Sequence, residues 1–241
     1  MAPATLPDMC GKFTALASWR NVVDFSQPLT GDCSGNGGDN EGDGGEVYTY
    51  RVGGMLPVVV WDAEEAKRRV VPMRWGFPSP RDWRRPQPIH ARSETIDRIH
   101  PFRIPFAGRQ TGIVVFRTFN EGQEAKNSKG TPITKQWTVD PKDGRPRGFA
   151  FLWNRFEIPD LPMPMLACVM ATVPANELIR RTIKAEEENP RMPAILDDGY
   201  LTWATWLGEA GAPDDETKAL LKTVEGVTWE AFPEPPRPRK Q

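Results

Sequence analysis

Cys10, in the run Asp8-Met9-Cys10-Gly11-Lys12-Phe13, is the residue whose setting suggests reactive chemistry. A methionine directly before a cysteine and a glycine looks like a translation start at the ninth residue. Initiation at Met9 and removal of that Met would leave Cys10 with a free α-amine beside its thiol. Such a 1,2-aminothiol condenses with an aldehyde. The amine forms an imine, and the thiol closes a five-membered thiazolidine ring, which no internal cysteine can do. With reference pKa values of about 7.7–8.0 for the amine and about 8.5 for the thiol, a useful fraction of the amine is uncharged near neutral pH. While residues 1–9 remain attached, the α-nitrogen is an amide and forms no imine. The alternative is that Cys10 is a small buried hydrophobe on a first strand.

The elements that must position this residue read as mostly extended. The chain has 241 residues, 25 of them proline, about twice the usual share, which favours short strands, turns and irregular crossings over long helices. Residues 10–30 carry a first apolar segment. EVYTYRV (46–52) alternates as a half-buried strand does, MLPVVVW (55–61) is a short β-branched run, and a third strand spans 69–75. Residues 77–88 are Pro- and Arg-rich and read as irregular. GIVVFRTF (112–119) is the strongest buried-strand signal. Segments 135–139 and 148–153 read as a pair of strands joined by the turn-rich DPKDGRPRG, and LACVMATV (166–173) as another strand. Helices come late: 177–187 capped by Asn176, a short one near 200–207, and one from Asp214 to about Thr223. The expected fold is α+β, a single domain with a strand-rich, barrel-like antiparallel core and a few short peripheral helices. Residues 1–9 read as a leader or misassigned start and 10–232 as the domain. Within it, 31–46 (seven Gly, five acidic residues) is expected to be a flexible loop, and 233–241 a Pro/Arg-rich tail.

Composition narrows the chemistry. Three cysteines (Cys10, Cys33, Cys168), scattered and odd in number, give neither a disulfide framework nor a CxxC site. With two histidines in the chain, a His/Cys zinc cluster is not expected, and no metal or other cofactor is implied. No apolar run reaches about 18 residues, and Ala2 to Asp8 lacks a signal-peptide core, so a cytoplasmic protein with reduced thiols and no membrane partner is expected. The net charge of −1 hides an asymmetry. From Lys67 to Arg109 there are eleven Lys/Arg against three Asp/Glu, a balance of +8, with Trp75 and Trp83 inside the window. Cations interleaved with aromatics suit single-stranded nucleic acid, and a salt-bridged surface is the alternative.

Four segments, MCGKF (9–13), PMRWGF (72–77), IHARSET (89–95) with the strand into FNEG (119–122), and NPRMPAIL (189–196), together resemble the SOS-response-associated peptidase family. Its members process abasic sites and cross-link to damaged single-stranded DNA. The resemblance spans residues 9 to about 208. It implies that the mature chain begins at Cys10, whose amine and thiol capture the C1′ aldehyde of a ring-opened abasic site as a stable thiazolidine. Glu121 matches the glutamate that assists ring opening and proton transfer. A positioned carboxyl group can deliver the proton needed by the departing water. A plain loop residue is the alternative for Glu121. Arg92 and Arg191 match residues that hold DNA phosphates, and Lys12 and Arg74 stand where further contacts fit. Lys12 replaces the more usual Arg. Trp75 stacks on a base beside the lesion or is a core aromatic.

Two departures accompany the match. The strand before the glutamate reads GIVVFRTFNEG in place of a CLxPAxGFYEW-like run, as in a divergent branch. His90 stands where the family usually has Asn, and Asn189 where it has His. One expectation is that the two line the Cys10 pocket with exchanged jobs, since both side chains offer a donor and an acceptor and only His relays protons near neutral pH; the alternative is that the active pair is lost and the protein is a slow or defunct member. The function implied is covalent capture of abasic sites in single-stranded DNA during the DNA-damage response, by a monomer. A thiol peptidase acting on its own leader and a non-catalytic single-strand binder are the competing functions.

Overall fold

The β-branched and aromatic runs fold as strands, and those buried on both faces close into a barrel. The computed structural model describes residues 12–16, 47–159, 161–197 and 199–234. Cys10, Cys33, the 1–9 segment, the 31–46 loop and tail residues 235–241 lie outside the described residues. In chain order the strands are β1 (Lys12–Leu16), β2 (Val47–Arg51), β3 (Met55–Asp62), β4 (Lys67–Trp75), β5 (Pro78–Ser79), β6 (Asp82–Pro86), β7 (His90–Arg92), β8 (Thr111–Phe116), β9 (Thr118–Lys126), β10 (Pro132–Pro141), β11 (Arg147–Phe156), β12 (Met165–Pro174), β13 (Arg191–Pro193), β14 (Ile195–Leu196) and β15 (Trp229–Pro233). Among the described residues the α-helices are four short ones: α1 (Arg103–Ala107), α2 (Glu177–Thr182), α3 (Tyr200–Leu207) and α4 (Asp214–Ala219).

Strands β12, β4, β3, β8 and β11 pair in that order, and β11 pairs back to β12, which closes a five-stranded barrel. Every contact in the ring is antiparallel except β12 with β4. A second sheet, β15-β10-β9-β1-β2, covers one side. The interface is aromatic: Phe13 of β1 lies 5.3 Å from Trp75 and 5.4 Å from Phe149, and Phe119 of β9 lies 5.9 Å from Phe149. Each such ring, fully buried, contributes about 1.5–3 kcal/mol relative to an exposed one. Close approach fixes Gly112 of β8, where a Cβ would come within 2.4 Å of Val58. Gly76, with φ +102, turns the chain out of β4, and a Cβ there would meet Pro86 at 2.4 Å.

The strand-rich α+β expectation holds, with local corrections. GIVVFRTF is not one strand. The chain breaks at Arg117 into β8 of the barrel and β9 of the covering sheet. Phe116 closes β8 and Phe119 lies in β9, and both are buried, one in each sheet. Segments 135–139 and 148–153 are strands, but they do not pair with each other: β10 lies between β9 and β15, and β11 between β8 and β12. The turn-rich link between them carries the chain from one sheet to the other. Residues 78–86, read as irregular, form the β5–β6 hairpin, held by the Arg74 guanidinium donating to the carbonyls of Trp83 (2.7 Å) and Arg84. Asn176 does cap α2, accepting from the Ile179 N–H at 3.0 Å, but the helix stops at Thr182 instead of 187. Helix α3 covers 200–207 as expected, and α4 begins at Asp214 but ends at Ala219.

Candidate active site

Strand β12 gathers the sequence motifs. Its residues Ala167 and Cys168 pair with Arg74 and Trp75 of β4. Met170 to Thr172 pair in parallel with His90 to Arg92 of β7, and Thr172 to Pro174 pair with Arg191 to Pro193 of β13. The MRWG, HAR and RMP segments therefore flank one strand, and the Phe13–Trp75 ring contact joins the KF segment to them. The Thr172 carbonyl accepts from the Ser93 N–H (2.9 Å) and from the Arg191 guanidinium (2.7 Å).

Glu121 sits where β9 passes the start of β1. Lys12 pairs with Asn120 and Phe13 with Phe119, so Glu121 is the next residue of β9 in the direction from which the chain leads back to Cys10. Side chains alternate along β9: Phe119 and Glu121 point inward, both without exposure, and Asn120 points to the other face. There Asn120 and Lys12 both bond the Glu234 carboxylate, Lys12 at 3.0 Å. Inward, the Glu121 carboxylate lies 3.4 Å from the Lys184 ammonium, and neither side chain is exposed. Lys184 follows α2 and also donates to Glu187 at 2.8 Å. Its loop is tied to the sheet by Gln123, which donates to the Thr182 carbonyl (3.5 Å) and accepts from the Trp137 indole (3.1 Å). Lys184 is one of the residues at the wall of a cleft of about 350 Å³, with Glu177, Arg180, Arg181 and Glu187. Burial pulls the Lys184 ammonium down, but Glu121 and Glu187 outweigh it and the net shift is upward.

The other expected site residues fall in different settings. Arg92 is exposed at the end of β7. Arg191 is buried, its fork closed on both oxygens of Glu94, one at 2.8 Å. Arg74 is committed to the β5–β6 hairpin, and burial lowers its pKa. His90 is half-buried on β7, while Asn189 is exposed in the bend before β13. Trp75 is corrected: with no exposure and its indole donating to the Ile89 carbonyl at 3.4 Å, it is a core aromatic and presents no face to a base. Trp83 remains at the surface, with the Arg84 guanidinium 4.7 Å from its ring. The +8 window also disperses. Arg68 pairs with Glu209, Arg69 with Asp62 and Arg109 with Asp214, each at 2.8 Å, and Lys67 pairs with Glu65. Arg81, Arg84, Arg85, Arg92, Arg98 and Arg103 are its exposed cations outside those pairs, with Arg84 4.0 Å from Asp82 and Arg98 3.7 Å from Asp97. Among the described residues Cys168 is the one cysteine. It is buried, and burial pushes its thiol up, so it is no nucleophile. No group of three or more His, Cys, Asp or Glu among the described residues is placed to hold a metal, and no described helix is long and apolar enough to cross a membrane.

Sequence reasoning missed Lys184 and Glu94. Lys184 reads as a solvated position in an acidic helix (IKAEEE), and only the end of α2 at Thr182 turns it inward. Glu94 lies inside the ARSET segment, and its role needs the spatial neighbour Arg191. Replacing Glu94 by Gln leaves a guanidinium that is 3% exposed without its carboxylate. Glu94 is itself about half exposed, so the cost is discounted to about 1–3 kcal/mol. Thermal denaturation checks this, with a midpoint lower by roughly 2–10 °C. The Arg191 hydrogen bonds hold the Glu94 carboxyl below the usual range. Its contribution is therefore present above the unfolded value of about 4.3 and is lost as pH falls through the folded one. The gap between wild type and Glu94→Gln closes at acid pH.

A sequence model described as SOS response associated peptidase (SRAP) matches residues 9–234. The chain belongs to the SOS response associated peptidase family. Membership supports a DNA-related role associated with the SOS response. Among solved structures, a similar fold is found in a protein from Bordetella bronchiseptica, 19% identical, with a TM-score of 0.69 over 94% of this chain and 100% of that one. A protein from Bacteroides thetaiotaomicron is 20% identical, with a TM-score of 0.62 over 77% of each chain. A phage-related protein from Bordetella bronchiseptica is 16% identical, with a TM-score of 0.61 over 93% of this chain and 94% of that one. At these identities the likeness is one of fold. A comparison with curated proteins gave no match.

Proposed function

We propose that this SRAP protein captures abasic sites in single-stranded DNA through the α-amine and thiol of a mature N-terminal Cys10. The observation that carries the proposal is the buried Glu121 carboxylate beside the start of β1, the strand that leads back to Cys10. The match beginning at residue 9 agrees with a functional start at Met9 and loss of that Met. In the reaction the Cys10 α-ammonium gives a proton to Glu121, and the free amine attacks C1′ of the ring-opened sugar. The aldehyde oxygen becomes the hydroxyl of a carbinolamine. Glu121 returns the proton to that hydroxyl, which leaves as water and yields the imine. The thiolate adds to the imine carbon and the nitrogen takes the thiol proton, so aminothiol and aldehyde give thiazolidine and one water. His90 and Asn189 are proposed to flank this chemistry. A double-mutant cycle, His90→Asn with Asn189→His, measures their coupling.

Incubation with a single-stranded oligonucleotide carrying one abasic site tests the proposal. A heat-stable adduct is expected, and none with the undamaged oligonucleotide. Release of residues 1–9 with no adduct would favour the peptidase function, and binding with neither would favour a simple single-strand binder.

Binding is expected to weaken with salt, since Arg92 and the other exposed arginines neutralise phosphates and release counterions, at about 0.7 per contact on single strands. Arg92→Gln lowers affinity for all sequences alike and reduces the salt slope by about one contact's share. Fluorescence anisotropy between about 50 and 200 mM salt checks this, and an unchanged affinity contradicts it.

A further inference from the structure

The loop between α2 and β13 carries both Lys184 and Asn189. Only Lys184 turns inward, its ammonium 3.4 Å from Glu121 with neither side chain exposed, while Asn189 is exposed. We infer that Lys184 is the positioning residue that keeps Glu121 ionised for the capture reaction. The inference rests on the function proposed above.

Burial alone disfavours a carboxylate, and a fully enclosed one stays charged only beside a compensating charge or donors. The Lys184 ammonium is such a charge, 3.4 Å away and equally buried. On the cleft side, Arg181 pairs with Glu177 of its own helix, and Arg180 is exposed. From β9 and β10 the neighbours Gln123 and Trp137 are neutral, and they bond each other. Lys184 thus stands between two carboxylates, Glu187 with 36% of its side chain exposed and Glu121 with none. Water solvates Glu187, whereas the Glu121 carboxylate, with no exposure, has the ammonium against it. The same contacts keep Lys184 a cation through the neutral range. It therefore does not compete with the Cys10 amine for the aldehyde, although it is a buried amine beside the carboxylate.

The test compares adduct formation across pH in wild type, Lys184→Met and Lys184→Arg. Removing the ammonium raises the Glu121 carboxyl, which must be ionised to accept the Cys10 proton. The acid limb of the Lys184→Met profile is expected to move up by at least about one unit, a loss of about tenfold on the acid side with recovery as pH rises. Lys184→Arg should restore most of the wild-type profile. A Lys184→Met protein with the wild-type limb and rate overturns the inference. A second readout needs no activity. NMR titration of the Glu121 carboxyl carbon should shift upward in Lys184→Met, and the Lys184 Nζ midpoint should fall in Glu121→Gln. Should wild type form no adduct, the capture proposal fails while these titrations still decide the Lys184 role. Should Lys184→Met not fold, the lysine titration in Glu121→Gln decides it, and an unmoved midpoint rejects it.

Discussion

A chain beginning at residue 10 with Ala in place of Cys10 is expected to form no heat-stable adduct with abasic single-stranded DNA, a loss of essentially all product. Alanine keeps the α-amine, so an imine still forms, but nothing closes the ring and water returns the aldehyde. Cys10→Ser separates the two steps. Its hydroxyl is a far poorer ring-closing nucleophile than a thiolate, so at most a hydrolysable linkage accumulates. Borohydride trapping should still catch the imine in both variants, while heat stability without reductant is lost. Cys168 offers no substitute thiol, because it is buried in β12 and its thiol is held protonated.

Glu121→Gln is expected to slow adduct formation by about 10²–10⁴-fold, the range for loss of a positioned general acid–base. The amide cannot accept the α-ammonium proton or return it to the departing water. The substitution also removes one partner of a fully buried ion pair, while the Lys184 bond to Glu187 remains. Breaking a buried pair costs up to about 3–5 kcal/mol, so thermal stability must be followed beside the rate. A variant that stays folded and cross-links at the wild-type rate would remove Glu121 from the mechanism. Single-turnover adduct kinetics with excess protein give the rate directly.

Much of the fold was legible because the signals are local. MLPVVVW and LACVMATV announce barrel strands through unbroken apolar runs, and Asn176 announces a helix start by offering its side-chain oxygen to the Ile179 N–H. What was not legible depends on where a strand goes after it ends. GIVVFRTFNEG reads as one strand, because nothing in its composition marks Arg117 as the crossing from barrel to covering sheet. The strands on either side of DPKDGRPRG look like a hairpin for the same reason: turn residues mark a change of direction but not the partner. In the candidate site, the motif register located Glu121 and the flanking β7 and β13 segments. Trp75 was open between stacking and core because an aromatic in a basic window carries no sign of its burial. The basic window itself overstated the patch, since Glu209 and Asp214, far along the chain, return to neutralise Arg68 and Arg109. Lys184 was hidden by its acidic neighbours, which make it look solvated.

The central claim, capture by an N-terminal aminothiol, is tested most directly by mass spectrometry of the adduct after digestion. The expected species is the N-terminal peptide beginning at Cys10, joined to the abasic oligonucleotide with loss of one water. An adduct on an internal lysine, or on chains that still carry residues 1–9, would contradict it.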